Sequence, residues 1–300
     1  MTFSAGVKNE ISETPLNEIE NRNLLLGYLY ANGTIEDRKV SLSLENMSVA
    51  RKIFKTLKYS YKMEVKMTVR MQKKFRVKRL FIFEVDDTKG IFKSELETID
   101  ISDEESMSSF IKGVFLACGS VNDPSKSQYH LEMTFNDEDK AIKVLSILKY
   151  LRYSFKLLKR DSGYMLYLKA SDEISDFLKL LGAVNSLFYY EDIRIYRDHK
   201  NMVNRLNNCE QANYEKSLRT SDKQLSVINY LLDNDYMSLL DEKTKQVAEY
   251  RLKYPEISFQ ALADIISKEI DRKVSKSYIN HHFRKINEVY ERIVRTQNDL

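Results

Sequence analysis

Cysteine is scarce in this sequence. Among 300 residues there are two, Cys118 and Cys209, without metal-ligand spacing, so two free thiols are expected in place of a disulfide framework or a zinc module. Long apolar runs are missing too. No stretch reaches the roughly 18 uninterrupted apolar residues that a bilayer-crossing helix requires, and a soluble protein is expected. From Met1 to Glu10 no apolar run separates a basic start from a small-residue cleavage site, so no export signal is expected and the expected location is the cytoplasm. Histidine numbers four, of which His130 and His199 are isolated. His281 and His282 are neighbours, and adjacent positions on a helix diverge by about 100°, so their rings do not converge on one ion. There is no Ser/His/Asp grouping and no phosphate-cradling glycine loop from which to build an enzyme. Neither a cofactor, a metal nor a small-molecule substrate is expected.

What the chain does have is patterned charge. Its net charge is +4 and its hydrophobic content 43%, enough for two domains. Between Arg51 and Arg79 twelve Lys or Arg residues face one acid, Glu64. This run reads either as a nucleic-acid surface or as a solvated face. Alternation on its later strand sets Lys74, Arg76 and Lys78 on one side, grouped as phosphate contacts, with Phe75, Val77 and Arg79 on the other. From Asp86 to Glu105 the balance reverses, and that acidic stretch reads as a solvated connector.

An internal repeat organises the first two thirds. Leu25-Leu26-Gly27-Tyr28-Leu29-Tyr30-Ala31-Asn32-Gly33 matches Ile111-Lys112-Gly113-Val114-Phe115-Leu116-Ala117-Cys118-Gly119, with both glycines offset by 86 residues. After Gly33 the pattern predicts a strand at Val40 to Leu44, a helix from Met47 to Leu57, strands at Met63 to Val69 and Phe75 to Val85, and a short helix at Lys89 to Leu96. After Gly119 the same order recurs. It gives a strand at Tyr129 to Phe135, a helix at Asp137 to Tyr150, strands at Tyr153 to Leu158 and Tyr164 to Leu168, and a helix at Ser171 to Leu181. Each half therefore reads αββαββα, spanning about 22–98 and 108–195, and the fold class is α+β. Gly27 and Ala31, like Gly113 and Ala117, sit four residues apart on one helix face. These small residues predict either that the two repeat helices pack against each other across a pseudo-twofold axis or that each packs tightly within its own half.

Residues 1–200 thus form a duplicated domain, 201–221 a polar connector, and 222–300 a helical domain. The connector, from Met202 to Thr220, reads as a DNA- or domain-contacting segment or as a capped helical linker. Helices are predicted at Lys223 to Leu232 and at Glu242 to Tyr254, the latter capped by Asp241 and stopped by Pro255. Ser258 caps a third, with Phe259, Leu262, Ile265 and Ile266 facing the core. After the turn Asp271 to Val274, a last helix starts near Ser275. Its apolar residues Ile279, Phe283, Ile286, Tyr290 and Ile293 make one buried stripe. The other face offers Ser277, Asn280, His281, Arg284 and Lys285, a recognition-helix pattern in a helix-turn-helix spanning about 257–291. Asn pairs with adenine and Arg with guanine in the major groove. Lys273, Ser275 and Lys276 stand at its entrance, where phosphate contacts fix register. The alternative is a basic surface helix, since the turn lacks the usual glycine.

The two repeat helices resemble those of the LAGLIDADG homing endonucleases, in which two such helices meet and two sheets form a basic saddle on DNA. That family holds a divalent cation with the acid before the last glycine of each motif, and here those positions are Asn32 and Cys118. Neither supplies the anionic oxygens that Mg²⁺ prefers, so the resemblance implies the scaffold without the cleavage. A resemblance covering almost the whole chain is to the WhiA family of sporulation and cell-division regulators, which joins a degenerate LAGLIDADG domain to a helix-turn-helix. It is carried by Phe3-Ser4 with Val7-Lys8-Asn9-Glu10, by Gly113 to Pro124, by Asn204-Arg205-Leu206-Asn207-Asn208-Cys209-Glu210-Gln211-Ala212-Asn213, and by Val274 to Lys285. It implies a nucleoid-associated, sequence-specific DNA-binding transcriptional regulator acting in sporulation, cell division or chromosome segregation, with double-stranded DNA as partner. Two other readings are a protein-interaction module that binds a regulatory protein, with DNA secondary, and an active endonuclease with unorthodox metal ligands.

Overall fold

A computed structural model describes residues 2–36, 38–72, 78–98 and 103–298, with only the backbone described at Gln72, Lys78 and Asn298. The chain divides into two compact units, Met1–Asp198 and His199–Leu300.

The first unit opens with α1 (Phe3–Glu13) and then runs twice through one order of elements. The first pass is α2 (Glu18–Asn32), β1 (Gly33–Glu36), β2 (Lys39–Leu44), α3 (Met47–Lys55) with a π turn at Thr56–Ser60, β3 (Val65–Gln72), β4 (Lys78–Asp86) and α4 (Ile91–Glu97). The second is α5 (Glu104–Cys118), β5 (Gly119–Val121), β6 (Leu131–Phe135), α6 (Glu138–Tyr150), β7 (Lys156–Arg160), β8 (Gly163–Leu168) and α7 (Ser171–Leu181). The two sheets share one topology, β1-β2-β4-β3 and β5-β6-β8-β7, antiparallel throughout. This is the duplicated αββαββα architecture that the repeat predicts.

Local chemistry sets where each helix starts. Asn17 and Glu20 form a reciprocal capping box on α2, and Asp103 and Asp137 accept amides at the starts of α5 and α6. Alternation then fixes the sheet faces. Val40, Leu42 and Leu44 on β2, with Phe83 and Val85 on β4, bury against the helices, as do Leu131, Met133 and Phe135 in the second half.

The repeat helices meet backbone to backbone. A methyl group on Gly27 would lie 2.0 Å from Phe110 O, and one on Gly113 only 1.9 Å from Leu24 O. The glycines therefore serve the contact between α2 and α5 rather than packing within each half. Their neighbours Leu24, Leu25, Tyr28, Phe110, Ile111 and Val114 are buried around that seam.

One detail differs from the sequence reading and one decides between its alternatives. The acidic stretch is not simply a solvated connector: Asp87 is buried and accepts from Ile91 N and Phe92 N, so it caps α4, and Glu95 accepts from the Tyr61 hydroxyl at 2.6 Å. Carboxylates favour such positions because a helix start offers unpaired amides and a positive dipole end. The polar stretch 201–221 lies inside one long helix, α8 (Val184–Asp233). The start of α8 is held from α1, where the Glu10 carboxylate accepts from Asn185 N at 2.9 Å and from Ser186 Oγ at 2.6 Å.

After α8, the second unit contains a 3-10 turn at Tyr236–Leu239 and then α9 (Glu242–Lys253), α10 (Phe259–Glu269) and α11 (Lys276–Asn298). It has its own core, built from Ile228 and Leu231 of α8, Val247 and Ala248 of α9, Leu262, Ala263 and Ile266 of α10, and Ile279, Phe283 and Ile286 of α11. Among the described residues no helix is long and apolar enough to cross a membrane.

Candidate nucleic-acid interface

The helical unit builds its presenting face from the turn between α10 and α11. That turn manages without glycine because Asp271 takes φ +50°, a left-handed conformation that Asp tolerates better than most side chains. Ser267 pins the turn: its hydroxyl donates to Ala263 O at 2.6 Å and accepts from Val274 N at 2.8 Å. Val274 is thereby buried, and Ser275 Oγ accepts from Tyr278 N as α11 begins.

Two buried polar side chains fix how α11 sits on its neighbours. Arg251 of α9 is 1% exposed. Its guanidinium lies 5.5 Å from the rings of both Phe259 and Phe283, which stack on each other, and Nη1 donates to Ile257 O at 2.7 Å. One arginine so ties α9, the start of α10 and the middle of α11. On the opposite side His282 is buried, with Nδ1 2.7 Å from Thr244 Oγ1. Burial lowers the His282 pKa from its usual value, an effect that the nearby Asp241 opposes and the charges of Lys285, His281 and Lys243 reinforce. Asp241 accepts from Thr244 N as the cap of α9 and pairs with Lys285 Nζ at 3.0 Å, and these contacts hold its carboxyl well below the usual range.

With those anchors in place, α11 turns its polar face outward. Ser277, Asn280, His281 and Arg284 are exposed, and their spacing of three, four and seven puts them on one face. Lys273, Ser275 and Lys276 are exposed at the entrance. Lys285 differs from its neighbours, being half-buried and committed to Asp241. The roles of Arg251 and His282 are invisible to pattern reading. Both are polar residues serving a core, and nothing in their spacing marks them.

In the duplicated unit, Asn32 and Cys118 stand at the last residues of α2 and α5. Asn32 is exposed and its Nδ2 donates to Ser43 O at 3.3 Å. The Cys118 thiol donates to Val114 O at 3.3 Å, and burial pushes it up to about 12, so it is uncharged at neutral pH. An amide whose nitrogen is engaged and a neutral thiol do not fit a divalent cation, which needs anionic oxygens. Among the described residues no group of three His, Cys, Asp or Glu could hold a metal ion.

Of the cations grouped as backbone contacts, Lys74 and Arg76 lie outside the described residues, and Lys78 begins β4 opposite Gln72. The register places Lys39, Lys66 and Arg70 on the outer face of the first sheet together with Glu36, Glu84 and Asp86. The register sets Lys78 on that face as well, so its described positions mix cations with acids, and Lys66 lies 3.8 Å from Glu84.

Comparison with known proteins agrees over the whole chain. Three family models match: the WhiA N-terminal LAGLIDADG-like domain at residues 19–99, the WhiA LAGLIDADG-like domain at 107–200, and the WhiA C-terminal HTH domain at 203–290. Among similar proteins, one from Enterococcus faecalis, named "Probable cell division protein WhiA", is 34% identical over 98% of this chain and 98% of its own. A protein of the same name from Pediococcus pentosaceus is 33% identical over 98% of this chain and 99% of its own. The crystal structure of full-length WhiA from Thermatoga maritima superposes with a TM-score of 0.61 at 25% identity, covering 97% of this chain and 99% of that one.

Proposed function

This chain belongs to the WhiA family, and from that premise we propose that it is a sequence-specific DNA-binding regulator that controls transcription of cell-division, chromosome-segregation or sporulation genes and does not cut DNA. The observation that carries this reading is the face of α11. Four polar side chains, Ser277, Asn280, His281 and Arg284, are exposed together on a helix whose opposite side is locked down by Ile279, Phe283 and Ile286. A helix of this kind enters the major groove, where Asn and Arg each read a base edge with two hydrogen bonds. Lys273 and Lys276 at its entrance suit phosphates, which set register and carry no sequence information. The regulator works at the nucleoid, where its site lies.

Replacing Asn280 or Arg284 by Ala tests the reading in an affinity titration on the preferred site. Each change costs about 1–3 kcal/mol and relaxes preference at one base position. Unchanged affinity and unchanged preference in both variants would assign base reading to another element.

The acids set among the cations on the outer face of the first sheet favour a second role for the duplicated unit, as a surface for a regulatory protein. Carboxylates repel a polyanion, and Glu36, Glu84 and Asp86 stand among the cations of this face. Crosslinking of the full chain in cells, followed by identification of what couples through this face, checks that role.

A further inference from the structure

In the helical unit, a cleft of about 660 Å³ opens beside the start of the recognition helix. One wall is the beginning of α10 and α11, with Ser258, Gln260, Lys276 and Asn280. The other is α8, with Asn213, Lys216, Ser217 and Thr220. No carboxylate lines it among the described residues.

The α8 wall is legible as a continuation of a core stripe. Gln224, Ile228 and Leu231 are buried against the helical unit, and the same face, stepped back by three and four residues, passes through Thr220, Ser217 and Asn213. Where that face packs on the core it is largely apolar. Where it runs beyond the core it becomes hydroxyl and amide, and Lys216 adds a cation beside them. Apolar residues would be expected there had the segment been built to pack on its own domain, and scattered carboxylates had it been built only for solvent.

The chemistry on both walls selects for one kind of ligand. At the starts of α10 and α11 the first amides lack partners within their helices and carry the positive end of the dipole. Ser258 and Ser275 each satisfy one such amide, and the residues that carry the others, Phe259, Gln260, Lys276 and Ser277, line the cleft. Lys216 and Lys276 add two full positive charges from opposite walls. Buried Arg251 lines the floor, and its Nε has no hydrogen-bond partner. Hydroxyls and amides flanked by cations are what bind phosphate oxygens in DNA, whatever the sequence.

We propose that the DNA interface has a second wall, the Asn213–Thr220 face of α8, and that the sugar-phosphate strand next to the bases read by α11 runs in the cleft between this wall and the starts of α10 and α11. The proposal rests on the reading of α11 as the base-reading helix. The two helices then have separate roles, α11 choosing the sequence and α8 gripping the backbone from the side.

The test uses the full chain with one preferred duplex and one random duplex, titrated at several salt concentrations. Lys216→Ala weakens both duplexes by the same factor, flattens the log-affinity against log-salt slope by roughly 0.9, and leaves base preference unmoved. Thr220→Lys does the reverse, tightening both duplexes and steepening the slope, a gain that a folding defect cannot imitate. If both variants keep the wild-type affinity and slope while Arg284→Ala loses the preferred site, the second wall is overturned and the reading of α11 stands. If the wild-type chain binds neither duplex, that reading fails and the second wall fails with it.

Discussion

A methyl group on Gly113 would lie 1.9 Å from Leu24 O and 2.8 Å from Tyr28 N, atoms of a backbone that cannot swing aside like a side chain. Gly113→Ala, and equally Gly27→Ala, therefore has to push α2 and α5 apart. Overpacking a core costs typically about 1–3 kcal/mol, and a backbone obstacle lies at the upper end of that range or above it. Thermal unfolding of the two variants checks this, and a melting temperature equal to wild type would show that the seam is looser than described. Gly6 is the control, because a methyl group there meets nothing within 4 Å. His282 supplies a second residue-scale prediction. Its folded pKa is lowered below 6.5 mainly by burial, so the folded state holds it neutral while the unfolded chain takes up a proton more readily. Its contribution is thus fully present above that value and is lost as pH falls through the folded pKa. Melting curves between about pH 5 and 7.5 should show the helical unit losing stability on acidification, less so in His282→Gln. An identical pH dependence in the variant would assign the effect elsewhere.

At the scale of elements, the repeat was legible because it rests on local chemistry. The small residues of α2 and α5, the alternation on β2 and β6, and the caps at Asn17, Asp103 and Asp137 all act within a few positions of themselves. The strands β1 and β5 are counted in the αββαββα order but have no assigned range in the sequence reading, for the opposite reason. They are four and three residues long, and their pairing with β2 and β6 is decided across the sheet. The length of α8 was equally hidden, since its polar middle reads as a connector and only the burial on either side shows one helix passing through. The face of α11 was visible in its spacing, whereas Arg251 and His282, which hold that helix in place, were not. The ends of α2 and α5 carry a prediction of their own. With Asn32 and Cys118 where acids would be needed, supercoiled plasmid incubated with the protein and Mg²⁺ or Mn²⁺ stays intact. Metal-dependent nicking that vanishes in Asn32→Ala or Cys118→Ala would sink it.

For the whole molecule, the proposed function divides labour between a duplicated LAGLIDADG-like unit and a helical unit that would present side chains to DNA. The first contributes a seam of glycines and a sheet face of mixed charge, the second a firmly anchored helix α11 with an exposed polar face. Sequence selection by this chain is the point on which all of this turns, and repeated selection from a random double-stranded library by the full-length protein tests it directly. One motif is expected to be enriched over successive rounds, and Asn280→Ala or Arg284→Ala to enrich the same motif with one position relaxed. Bound DNA that stays as random as the input library, round after round, would contradict it.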